Sequence, residues 1–257
     1  MATQPEVLAG DIAFGPQTRH RGLWSQAWQR LLHNKLALAA GILLAAIVIV
    51  AILTSFSNTV ERYDPAAVDY SHRNAGPSTS HFFGTDNLGR DTWSRSWEGM
   101  RVSLKIGLGT QVVVLLIGLS VGAGAALGGR FTDGLLMRFT DLTYAFPDLL
   151  AIILLRAILS GRDWPLIGTG DPQIPGLSGI VLQMILAIAL VSWVTIARLV
   201  RGQMLSLKEA DYVMAARSMG ASTRRIVFSH MLPNTLGPVI VAVTFGFPLA
   251  IFAEAVL

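Results

Sequence analysis

The chain has 257 residues, of which 52% are hydrophobic and only 14% charged, with a mean hydropathy of +0.54 and a formal net charge of +4. A soluble domain carries about a quarter charged residues, and the apolar excess here falls in long uncharged runs, which excludes an ordinary water-soluble globule. With no cysteine, disulfide frameworks, thiol nucleophiles and thiolate metal sites are excluded as well.

Residues 1–35 are polar and read as a cytoplasmic N-terminal segment; the apolar run that follows lies too deep in the chain and is too long for a cleavable signal. A first transmembrane helix is predicted over 36–56, built on the uncharged run Leu36 to Leu53. Residues 57–101 read as an extracytoplasmic loop, and 102–257 as the core domain. A second span is predicted from Ile106 to Gly129. A third runs from Phe139 to Leu159 despite Asp141, Asp148 and Arg156, and a fourth from Leu177 to Ala197. A fifth runs from Met231 to Ala253, with Pro233 at its mouth and Pro238 and Pro248 inside. The expected fold class is therefore an all-α, polytopic membrane bundle of five spans. The apolar ending Phe252 to Leu257 adds the expectation of a sixth span missing from this chain.

Lysine and arginine set the orientation. Arg19, Arg21, Arg30 and Lys35 precede span one, Arg130 and Arg138 separate spans two and three, and six more from Arg198 to Arg225 separate spans four and five. In the 57–101 loop Arg62, Arg73, Arg90, Arg95 and Arg101 are offset by acidic residues. The N-terminus is thus expected in the cytoplasm. The arginines flank apolar segments rather than forming one stripe, so membrane lipid is the expected neighbour and nucleic acid is not.

The stretch 206–233 carries the strongest local signals. Ser206 and Glu209 have the spacing of a capping box, and Ala215 and Ala216 favour the helix that would follow. Gly220 suits its left-handed end. Ser222 is placed to cap a second short helix carrying Arg224 and Arg225, which Pro233 would stop, and Asn234 to cap the fifth span. Tyr212, Val213, Ala216 and Met219 fall at helical spacing. Such a pair suits docking into a cytosolic partner, or an amphipathic helix with its apolar face in lipid; the residues alone leave the two open.

Met214-Ala215-Ala216, three residues, Gly220, nine residues and then His230-Met231-Leu232-Pro233 resemble the EAA motif of ABC importer permeases, with Met214 at the glutamate position and His230 at the isoleucine. His81-Phe82-Phe83-Gly84-Thr85-Asp86-Asn87-Leu88-Gly89-Arg90-Asp91 is similar to a segment of dipeptide, oligopeptide and nickel permeases. The chain is thereby identified as resembling the C-type, second-permease subunit of that family. The resemblance implies a type I importer fold and half of a translocation path for di- or oligopeptides. It implies partnership with a homologous permease in a heterodimer, two ATP-binding subunits and an extracytoplasmic substrate-binding protein in a bacterial or archaeal inner membrane. It also gives the ATPase-coupling role to Glu209, Tyr212, Met214, Ala215, Ala216, Gly220, Arg224, Leu232 and Pro233.

No P-loop is present, so no cofactor is expected on this chain, and ATP and Mg would sit on the partner subunits. Asp148, Gln183, Phe245 and Phe247 are candidates for the path, since intramembrane polar groups mark pathways and Phe245 and Phe247 flank a glycine beside Pro248. Asp141 and Asp148 would share one helical face, with Asp141 at the interface beside Arg138. In the outer loop, Gly84, Asp86, Gly89, Arg90 and Asp91 suggest a turn held by ion pairs. His72 and His81 with Asp86 and Asp91 match no metal-site spacing, so no metal is expected. No nucleophile–base constellation is visible, so the chain is expected to be a transport subunit and not an enzyme. The alternative is an ion-driven secondary transporter or channel subunit, which predicts inverted repeats; a passive membrane anchor would not require the capped helix pair.

Overall fold

The computed structural model describes residues 23–56, 61–160 and 177–257, which form helices joined by turns. The chain divides into two units, Met1–Ser57 and Asn58–Leu257.

The first unit contains α1, Leu23–His33, and α2, Lys35–Phe56. Asn34 separates them, and its Oδ1 accepts the Ala37 N–H at 3.1 Å, which starts α2. Leu36, Ile42, Leu43, Leu44, Ile49 and Ile52 are exposed around α2. A helix apolar on every side is the form taken by a span surrounded by lipid.

In the second unit α3, Thr92–Leu127, is the longest helix at 36 residues. It extends about 54 Å at 1.5 Å per residue, well beyond a hydrocarbon core of about 30 Å. Its first ten residues fall in what the sequence assigns to the 57–101 loop. Asp91 explains the early start, because its carboxylate accepts the Ser94 N–H at 2.8 Å and the Ser94 hydroxyl at 2.7 Å.

α3 packs mainly along α6, Gly179–Lys208. Small residues permit the close approach: a Cβ on Gly122 would stand 2.5 Å from the Ala197 carbonyl oxygen, and one on Gly118 2.6 Å from the Ile196 side chain. Lys208, near the end of α6, donates to the Ala126 carbonyl near the end of α3. α9, Leu232–Val256, packs against both α3 and α6, and the Ser103 hydroxyl donates to Glu254 at 2.7 Å.

The third expected span is not a straight helix. α4, Arg130–Tyr144, and α5, Asp148–Ser160, meet at 89°. Pro147 cannot donate a backbone hydrogen bond and disfavours helical geometry at Phe146, so the helix ends and a new one begins, its Pro147 carbonyl accepting Ala151 N–H at 3.0 Å. Asp141 and Asp148 therefore lie on different helices and do not share a face. The ion-pair partner of Asp141 is Arg198, at 2.8 Å, rather than Arg138; α4 lies against α6, whose arginines reach it. Arg198 also stands 4.7 Å over the Tyr144 ring.

Candidate functional site

Three features collect the residues singled out by the sequence: an elbow between α6 and α9, a cleft among α3, α5, α6 and α9, and a polar turn before α3.

The elbow does not begin where the Ser206–Glu209 spacing predicts. α6 continues through Ser206 to Lys208, and Glu209 is its last cap, donating its N–H to the Ser206 carbonyl at 3.3 Å. Burial of Val200 and Met204, with Leu205 and Leu207 packed on the same core, carries the helix past the local capping signal. The extended residue that starts the next helix is Ala210, at φ −70° and ψ 138°, ahead of α7, Asp211–Ser218.

α7 closes as expected. Gly220 has φ +82°, its N–H bonds the Arg217 carbonyl at 3.0 Å, and the Ala221 N–H bonds the Ala216 carbonyl at 3.0 Å. These two bonds are a Schellman end. Ser222 then accepts the Arg225 N–H at 3.4 Å and opens the short α8, Thr223–Ile226.

Pro233 does not stop this helix. A π-helical turn, Val227–Met231, joins α8 directly to α9, the Leu232 N–H reaching back to the Val227 carbonyl. The wider turn lets the ring of Pro233 pass at the start of α9 without a break. Asn234 is accordingly inside the helix and caps nothing; its Nδ2 donates to the His230 carbonyl at 2.6 Å and to the Tyr212 hydroxyl at 3.4 Å, linking α7 to the π turn.

Val213 and Ala216 face inward, in one core with Val200, Met204, Ile226, Val227 and Met231, so Ala216 offers no outer surface. Tyr212, Met214, Ala215, Met219 and Arg224 face out, Met219 being 82% exposed. Leu232 is half-buried and Glu209 and Pro233 are exposed. The outer face thus presents apolar side chains together with Arg224 and Glu209, on a backbone packed from beneath.

The cleft has a volume of about 450 Å³. Gln111 of α3, Asp148 of α5, Ser192 and Thr195 of α6, and Phe245 and Phe252 of α9 line it. Gln183 is fully buried in α6 and does not line it. Phe247 is also outside it: its ring lies where a Cβ on Gly107 would meet it at 2.7 Å, so it packs on α3 while Phe245 faces the cleft. Two residues apart on a helix, the rings point to different sides. Gln111, Ser192 and Thr195 were missed in the sequence because uncharged polar residues inside an apolar run carry no motif or spacing signal.

Before α3, Gly84 and Gly89 have φ +71° and +77°, and a Cβ on them would stand 2.4 Å from the Ala75 carbonyl oxygen and 1.6 Å from that of Asp69. Only glycine fits either place. Asp86 accepts the Leu88 N–H at 2.9 Å, the Arg90 N–H at 3.0 Å, Arg90 Nε at 2.8 Å and the Arg95 guanidinium. Burial pushes the Asp86 carboxyl up, but the backbone N–H groups of Arg90 and Leu88 and the Arg90 guanidinium outweigh it and hold it at about 2. Asp91 likewise ties His81 at 2.9 Å while capping α3, and is lowered although burial opposes it. Glu61 pairs with Arg101.

Residues 107–257 match the model of the binding-protein-dependent transport system inner membrane component, and residues 22–77 match the N-terminal TM domain of oligopeptide transport permease C. The chain belongs to this permease family. An oligopeptide transport system permease protein of Bacillus subtilis is 38% identical over 91% of the chain and 70% of its own length. A dipeptide transport system permease protein of the same organism is 37% identical over 90% of the chain and 66% of its length. A glutathione transport system permease protein of Pectobacterium atrosepticum is 33% identical over 91% and 71%. The chain is thus a multi-pass inner-membrane permease subunit of an ABC importer, with the helical fold expected of one. Among the described residues, four helices are long and apolar enough to cross a membrane, or five if the bent α4–α5 pair counts as one span.

Proposed function

We propose that this permease carries di- or oligopeptides inward through half of a translocation path and takes its energy from an ATP-binding subunit docked on the elbow. It pairs with a homologous permease in a heterodimer, with two ATP-binding subunits holding ATP and Mg and a substrate-binding protein on the outer side. Its N-terminus is cytoplasmic, in a bacterial or archaeal inner membrane.

The observation carrying the reading is the elbow's construction. α7 is closed by a Schellman end at Gly220, packed from beneath by Val213 and Ala216, and flanked by α6 and α9. A short element so held moves as one piece with α6 and α9, two of the helices that line the cleft, which an alternating-access transporter requires. Tyr212, Met214, Ala215 and Met219 supply an apolar contact, and Arg224 a charged edge; with Met214 at the glutamate position, contact through apolar surface replaces an acidic one. The names of the relatives support peptides as the cargo.

Co-purification of wild-type chain and Gly220→Pro from native membranes, read by vanadate-sensitive ATP hydrolysis, tests this. Proline cannot adopt φ +82°, so the variant should insert in the membrane yet lose the ATPase. A wild type that purifies alone, or a variant that keeps its ATPase and activity, would overturn it.

A further inference from the structure

We infer that the cleft among α3, α5, α6 and α9 recognises the side-chain ammonium of a basic residue of the passing peptide, with Asp148 as counter-ion and Gln111 as hydrogen-bond acceptor. The inference rests on the peptide-permease reading and deepens it.

Of the described residues lining the cleft, Asp148 alone is ionisable, and no described lysine, arginine or histidine lines the cleft beside its carboxylate. Among the described residues Asp148 has no ion-pair partner, unlike Asp133 and Asp141, which α6 arginines neutralise. A lone carboxylate in a largely apolar wall attracts a cation more strongly than it would in water.

Gln111 is a second and independent sign. It is only 7% exposed, and its Oε1 is buried with no hydrogen-bond partner among the described residues. Its amide occupies the notch left by Gly246, where a Cβ would come within 2.8 Å of Oε1. Buried acceptors are normally paired, and an unpaired one in the wall of a cleft is a place for a donor. The exposed Ser192 and Thr195 add hydroxyl acceptors on the α6 wall, and Phe245 lines the same cleft with an aromatic side chain of the kind that cations favour. An ammonium group, three donors and a positive charge, matches this set; a carboxylate does not.

The test uses the whole importer in proteoliposomes, with its binding protein and ATP, and two tripeptides identical except for a central lysine or glutamate. Asp148→Asn should lower initial uptake of the lysine peptide relative to the glutamate peptide by roughly fivefold or more, the loss of one charge-assisted contact. Asp148→Glu should restore the ratio, and Gln111→Leu should lower it to a smaller extent. ATP hydrolysis stimulated by the binding protein confirms that each variant is folded and coupled. An unchanged ratio in Asp148→Asn, or an equal loss for both peptides, overturns the inference while leaving the peptide-permease reading intact. Wild-type vesicles that carry neither peptide overturn both.

Discussion

Arg201 grips Asp133 through two hydrogen bonds, Nε at 2.5 Å and an NH2 nitrogen at 2.7 Å, and so fastens α6 to α4 one helical turn from the Arg198–Asp141 pair. The fork geometry fixes direction as well as distance. The two pairs hold α4 on α6 just before the chain turns 89° toward the cleft, so they set where Asp148 stands.

Arg201→Leu should therefore loosen α4. Both side chains are about a third exposed or less, so the coupling measured by a double-mutant cycle with Asp133→Leu should be about 1 kcal/mol, in the range of a screened pair. Thermal melts in detergent read the magnitude, and proteolysis near Tyr144 reads the location. A coupling indistinguishable from zero would mean that helix packing alone seats α4.

Glycines on one bundle should differ sharply in tolerance. Gly122→Val places atoms against the Ala197 carbonyl and the Val200 side chain, and overpacking of this kind costs about 1–3 kcal/mol. Gly202→Ala on α6 meets nothing within 4 Å and should raise stability by up to about 1 kcal/mol through helix propensity. Melting temperatures of the purified chain, falling for the first and holding or rising for the second, check the contrast.

How much of this was legible in advance follows from the range of each signal. Gly220 and Ser222 were readable because their roles are settled within four residues by backbone conformation and a short side-chain bond, whereas Asp91 was read for ion pairs and not as the cap of α3. Ser206 and Glu209 were misread because a capping box is equally local, and the burial of Val200 and Met204 that overrides it is tertiary. Pro147 marked a break that the apolar residues on both sides concealed. The separation of Phe245 from Phe247, and the burial of Gln183, depend on which neighbour each helix face meets, which an all-round apolar span does not encode.

Gly220 separates conformation from contact. A Cβ there would meet nothing within 4 Å, yet φ is +82°, so Gly220→Ala should cost about 1–2 kcal/mol by backbone strain alone. Gly220→Asn should cost less, because asparagine tolerates this region. Hydrogen exchange at the Ala221 amide, bonded to the Ala216 carbonyl, should speed up in the order Gly, Asn, Ala; equal rates for the two variants would point to a steric cause.

Acid should loosen the turn before α3 in a defined window. Asp86 is held at about 2 against an ordinary 3.8, and Asp69 also at about 2, there by the Ser71 hydroxyl first, then His72 and the Ser71 N–H. A carboxylate whose folded value is depressed stabilises fully above its unfolded value and loses that contribution as pH falls toward the folded one. The order of residues 84–91 should thus be flat from neutral pH to about 4 and fall away between about 4 and 2. Asp86→Asn should show the disordered behaviour already at pH 7, because a neutral amide oxygen accepts from Arg90 and Arg95 without pairing their charge. Trp93, whose ring meets Phe82, Phe83 and Trp97 within 4.9–5.6 Å, is the natural fluorescence reporter. A transition centred above pH 5 would overturn the assignment to these carboxylates.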